Sequence, residues 1–157
     1  MKIRVAGLSP ESIVDGKGIR FVVFTQGCPH KCKGCHNPST HDFNGGTEYD
    51  TEDIINMFEH SPLITGITLS GGEPFAQWEA CLELAKRAKE ADLSVWCYTG
   101  YRFSEVVNNP LMKYIDVLVD GRFDESLRSL DLRYRGSLNQ RVIHVPRSLD
   151  KGKVVLF

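Results

Sequence analysis

Apolar residues run along this chain in two alternating patterns: short β-branched or aromatic runs, and longer stripes at helical spacing. Residues 20–25 (Arg-Phe-Val-Val-Phe-Thr) are of the first kind and predict a buried strand, ended by Gln26-Gly27. Residues 51–60 open on Thr51, Glu52 and Asp53, then place Ile54, Ile55 and Phe58 on one face, which predicts a helix. Residues 63–69 predict the next strand, broken by Ser70-Gly71-Gly72-Glu73-Pro74. The clearest helix is predicted over 76–91, with Cys81, Leu84, Ala85, Ala88 and Ala91 along one stripe. Strands follow at 93–98 and 115–119 around a shorter helix near 103–109, and the last apolar segments are 141–145 and 153–157. This alternation points to parallel β/α units with right-handed crossovers. At roughly 30 residues per unit there is room for about five or six, short of the about 250 residues of an eight-unit barrel. The expected fold is α/β, an open partial barrel forming a single domain over residues 1–157.

Composition narrows the class without naming a chemistry. The 157 residues are 41% hydrophobic and 25% charged, enough for an ordinary core without covalent staples. A net charge of −1 with no basic stripe offers no electrostatic handle for nucleic acid or an anionic membrane. No stretch approaches 18 apolar residues, and Met1–Ala6 lacks the apolar run of a signal peptide, so a cytoplasmic protein is expected. The five cysteines are odd in number and three fall within residues 28–35. Such crowding reads as metal ligation in a reducing compartment and not as a disulfide framework.

In parallel β/α folds the loops at the C-terminal ends of the strands form one rim, where sites are built. Here those loops carry the cysteines, then Gly71-Gly72-Glu73-Pro74, then Tyr98-Thr99-Gly100, then Asp120-Gly121. The cysteine loop reads Gly27-Cys28-Pro29-His30-Lys31-Cys32-Lys33-Gly34-Cys35-His36, and three chemistries compete for it. Cys32 to His36 spells the c-type haem pattern, but this would leave Cys28 without a role. A structural zinc would need His30, His36 or His41 as a fourth ligand, and no second C-x-x-C pair exists to form the usual second knuckle. A [4Fe–4S] cluster would take one thiolate each from Cys28, Cys32 and Cys35 and leave a fourth iron open to a chelating ligand.

The spacing C-x3-C-x2-C, followed by Ser70-Gly71-Gly72-Glu73-Pro74, resembles the radical S-adenosylmethionine enzymes. The resemblance implies a cluster on Cys28, Cys32 and Cys35, with S-adenosylmethionine on the open iron. It also implies contacts to that cofactor from Gly71, Gly72 and Glu73, where the backbone and the Glu73 carboxylate together take the methionine amino group, and from the Gly34-Cys35-His36 backbone. Gly34 departs from the pattern, since many members carry an aromatic residue there. Beyond the cluster ligands, no side chain is assigned a chemical role. Asp15-Gly16-Lys17-Gly18-Ile19-Arg20 and Cys35-His36-Asn37-Pro38 resemble the activases of glycyl radical enzymes. Trp96 to Tyr101, Asp116 to Phe123 and Arg135 to Arg141 resemble the anaerobic (class III) ribonucleoside-triphosphate reductase activators among them. What this implies is reductive cleavage to a 5′-deoxyadenosyl radical that takes hydrogen from a glycine of the reductase, with electrons from an external donor such as flavodoxin or ferredoxin. The alternatives are an activase of another glycyl radical enzyme, of the pyruvate formate-lyase type, or a non-catalytic zinc-binding interaction module.

The remaining candidates have plain readings beside them. Cys81 on a helical stripe and Cys97 within a strand read as small core residues. His30 reads as a solvated loop residue, as do Lys31 and Lys33. Asp120 reads equally as a ligand contact or a turn cap. Arg135, Asn139 and Gln140 divide between a docking surface and hydrogen bonding within their own loop.

Overall fold

A computed structural model of the chain describes every residue except His36 and Asn37. Seven strands form one mixed sheet in the order β3-β1-β2-β4-β5-β6-β7. They are β1 (Lys2–Ser12), β2 (Arg20–Thr25), β3 (Thr47–Asp50), β4 (Gly66–Gly71), β5 (Ser94–Tyr98), β6 (Val117–Asp120) and β7 (Arg141–His144). Only β2, β4, β5 and β6 run parallel. At one edge β1 pairs antiparallel with both β2 and β3, and at the other β7 pairs antiparallel with β6.

The open partial barrel of five or six parallel β/α units is therefore corrected to an unclosed mixed sheet with four short helices. Loop length explains why. A parallel return needs a crossover of about a dozen residues or more, usually helical. Residues 13–19 between β1 and β2 are too few for one. Residues 121–140 between β6 and β7 are enough, but they form a 3₁₀ turn at Glu125–Leu127, a single bridge from Arg128 to Ser137 and irregular loop, so the chain returns antiparallel. Proper crossovers occur at α1 (Thr51–Glu59), at α2 (Trp78–Glu90), and at α3 (Phe103–Val106) with the 3₁₀ segment Pro110–Tyr114; α4 (Val145–Lys151) follows β7. Asp50 caps α1 by accepting from the Glu52 N–H.

The predicted strands and helices over 20–25, 51–60, 63–69, 76–91, 93–98, 115–119 and 141–145 all have counterparts within a few residues. The apolar segment at 153–157 makes one bridge, Ile143 to Leu156. Alternation along the strands divides the residues between two faces. Phe21, Val23, Ile67, Leu69, Val95, Cys97 and Leu118 enter the main core with Ile54, Ile55, Phe58 and Leu84 of the helices. The opposite face carries the smaller Trp96, Val117 and Val119 cluster, with Arg20 buried beside it. The parallel strands deliver their C-terminal ends, Thr25, Gly71, Tyr98 and Asp120, to one rim. No helix among the described residues is long and apolar enough to cross a membrane.

Candidate metal centre

The cysteine loop is pinched shut at its base. The Gly27 N–H donates to the Thr40 carbonyl at 2.7 Å and the Cys28 N–H to that of His41 at 3.2 Å. The Gln26 side chain donates to the carbonyls of Ser39 and Asp42. The Gly71-Gly72 turn packs directly on this base. The Gly72 N–H donates to Thr25 O and the Glu73 N–H to Gly27 O, both at 2.8 Å.

Within the loop Cys28, Cys32 and Cys35 are each partly exposed and face one cavity of about 120 Å³. Its walls include Gly71 and Gly72 from the second rim segment, Tyr98, Thr99 and Gly100 from the third, and Gly121, Phe123 and Gln140 beyond β6. The four rim loops thus converge, as topology led us to expect. Burial pushes the Cys28 and Cys32 thiols above the ordinary range. Backbone N–H groups of His30 and Lys31 at Cys28, and of Phe123 at Cys32, oppose that shift by favouring thiolate. Gly34 and Cys35 lie on this loop, the Cys35 N–H turning back to Cys32 O. His36, expected beside them, lies outside the described residues.

Glu73 is fully buried, and its carboxylate collects four donors. His30 Nε2 lies 2.6 Å from Oε1, the Gly100 N–H donates to Oε1 at 2.8 Å, and the Phe75 N–H donates to Oε2 at 3.0 Å. Thr99 Oγ1 sits 2.8 Å from both oxygens. His30 is not a solvated loop residue: its side chain is 4% exposed and its ring meets Tyr101 edge-on at 4.6 Å between centroids. The sequence gives no sign of this cluster of His30, Glu73 and Thr99, because a histidine between two loop cysteines carries no signal of burial.

The other candidates resolve into scaffolding. Asp120, 1% exposed, accepts from the Phe103 N–H and from Arg141 Nη2, the latter at 2.6 Å. Gln140 accepts from Gly136 N and Ser137 N and donates to Gly121 O, while Asn139 donates to Arg122 O. Arg135 donates to the carbonyls of Leu138 and Gln140. Cys81 and Cys97 are fully buried core residues, and burial pushes the Cys81 thiol up to about 12. A larger cavity of about 890 Å³ lies across Gly100 and Gly121, lined by Arg102, Arg122 and Arg141, and none of the three loop cysteines reaches it.

The donor set suits an iron–sulfur cluster. No three Cys, His, Asp or Glu side chains among the described residues gather as ligands of a single ion. Cys28, Cys32 and Cys35 line one cavity, and each could offer a thiolate to a different iron of such a cluster. At the cavity wall His41 Nε2 is buried and has no hydrogen-bond partner among the described residues.

Residues 14–143 match the family model described as a 4Fe-4S single cluster domain. The chain is 40% identical over 145 residues to an anaerobic ribonucleoside-triphosphate reductase-activating protein of Vibrio cholerae, covering 86% of this chain and 93% of the relative. It is 38% identical over 147 residues to the protein of that name from Escherichia coli K12, covering 87% and 95%. To the one from enterobacteria phage T4 it is 34% identical over 139 residues, covering 85% and 88%. This chain belongs to the family of anaerobic ribonucleoside-triphosphate reductase-activating proteins, with a 4Fe-4S single cluster domain.

Proposed function

We propose that this chain is a radical activase whose Cys28, Cys32 and Cys35 hold a [4Fe–4S] cluster with one iron left for S-adenosylmethionine. The observation that carries the reading is the cavity shared by the three thiols and the Gly71-Gly72 turn. The chemistry such a pair supplies when bound is one-electron cleavage of S-adenosylmethionine to methionine and a 5′-deoxyadenosyl radical, directed at a glycine of the reductase. The chain's own residues bind, orient and shield. The thiolates fix the irons, and N–H groups from His30, Lys31 and Phe123 favour the charged sulfurs. The Gly71-Gly72 edge lets the ligand approach backbone closely, and Gly34 and Cys35 would offer backbone from the cysteine loop. The names of the relatives support an anaerobic ribonucleoside-triphosphate reductase as partner. The electron comes from an external donor such as flavodoxin or ferredoxin.

The test is to reconstitute the protein anaerobically, reduce it, and incubate it with S-adenosylmethionine and the reductase. Release of 5′-deoxyadenosine with a glycine-centred radical in the paramagnetic resonance spectrum is expected. A preparation loaded with iron and sulfide that yields neither would sink the proposal.

A further inference from the structure

Sequence resemblance assigns the Glu73 carboxylate to the amino group of the bound cofactor, yet in the folded chain that carboxylate is fully engaged within the protein. Two carboxylate oxygens offer about four lone-pair sites, and four groups already occupy them: His30 Nε2, Thr99 Oγ1, Gly100 N and Phe75 N. The Gly100 and Phe75 N–H groups donate to Glu73, one to each oxygen, and His30 Nε2 closes the contact from the cysteine loop at 2.6 Å. An incoming ammonium would have to displace one of these bonds in a site where Glu73 is 0% exposed. The groups it joins come from three separated segments: the cysteine loop, the Gly72–Phe75 turn and the end of β5. The imidazole is also shaped into place. A Cβ on Gly100 would lie 2.4 Å from its ring, and Tyr101 closes the other side.

We propose that Glu73 and His30 form a buried clamp that sets the cysteine loop against the rim before any cofactor arrives, making both of them positioning residues. This rests on the reading of Cys28, Cys32 and Cys35 as ligands only for its purpose; the clamp itself belongs to the cofactor-free chain.

Lys31 and Lys33, both exposed on the clamped loop, provide a reporter that needs no cofactor. In the apo-protein, trypsin should cut after Lys31 and Lys33 at least about tenfold faster in Glu73→Gln and in His30→Ala than in the native chain. The double variant should be no faster than either single one, as expected when two residues serve one contact. His30→Gln, which keeps an N–H donor near the Nε2 position, should restore native protection, a rescue that general loss of packing would not show. In reconstituted protein, His30→Ala and Glu73→Gln should broaden the resonance of the reduced cluster alike. The proposal is overturned if both variants keep native protease resistance and Glu73→Gln alone weakens S-adenosylmethionine binding. Failure of every form to take up iron and sulfide would refute the cluster reading, while the protease result still decides the clamp.

Discussion

The glycines at the rim and elsewhere allow a graded test of how tightly the cavity is built. At Gly71, φ is +93°, and an added Cβ would lie 2.5 Å from Thr25 N and 2.6 Å from Phe24 C. Both are backbone atoms of β2 in register with β4, so they cannot yield without opening the ladder. The left-handed backbone costs roughly 1–3 kcal/mol, and forcing the overlap costs roughly another 1–3, about 4 together. Gly152 isolates the first contribution, since its φ is +68° but nothing lies within 4 Å of the added atom. Alanine there should cost about 1 kcal/mol after the entropy lost by the unfolded chain is counted. Gly7 has open space and no unusual φ, so Gly7→Ala should be neutral or up to about 1 kcal/mol stabilising. Urea unfolding of the apo-protein reads all three without involving a cofactor. With a slope near 2 kcal/mol per molar, Gly71→Ala should lower the midpoint by about 2 M and Gly152→Ala by about 0.5 M. If Gly71→Ala unfolds within about 0.3 M of the native chain, the turn does not press against β2 and the cavity has no rigid wall there.

Three further outcomes are expected. Cys28→Ala, Cys32→Ala and Cys35→Ala should each abolish iron and sulfide uptake with little change in apo-protein stability; Cys81→Ala should keep both and lose about 1 kcal/mol of packing, measured by elemental analysis and urea unfolding. Iodoacetamide at pH 8 should label Cys28 and Cys32 in the native apo-protein, and Cys81 and Cys97 only in urea, by peptide mass mapping. Burial raises both core thiols, so the stability they contribute is fully present below the unfolded value of 9 and is lost as pH rises toward the folded value, about 12 for Cys81; a urea midpoint that holds steady above pH 9 would contradict this. Asp120→Ala should cost about 2 kcal/mol by orphaning the buried Phe103 N–H. Arg141→Ala should cost under about 1, because the arginine is 41% exposed and its charge is screened; equal losses in the two variants would refute that ranking.

What the sequence discloses follows from which signals are local. The central strands are continuous apolar runs buried on both faces, so β2, β4, β5 and β6 are legible. β1 escapes because its exposed and buried positions follow no clean alternation and Pro10 interrupts it. β3 escapes because Thr-Glu-Tyr-Asp is a polar edge strand with no buried residue. Strand direction is not local at all: it depends on whether 13–19 and 121–140 form a helix, and neither does. In the site, cysteine spacing displays three clustered thiols, but burial of His30 against Glu73 is set by residues 43 positions away.

The order in which the rim is written along the chain has a consequence during synthesis. The three thiols lie near the N-terminus, whereas Gln140, the last wall of their cavity, is made about 100 residues later. At about 5–20 residues per second, the cysteines wait some 5–20 s beside an incomplete pocket. In that interval they are a bare chelating peptide, open to whichever thiophilic ion is most abundant. If these thiols hold the cluster as proposed, its insertion should follow completion of the Gln140 wall, and metal offered earlier would meet an open loop.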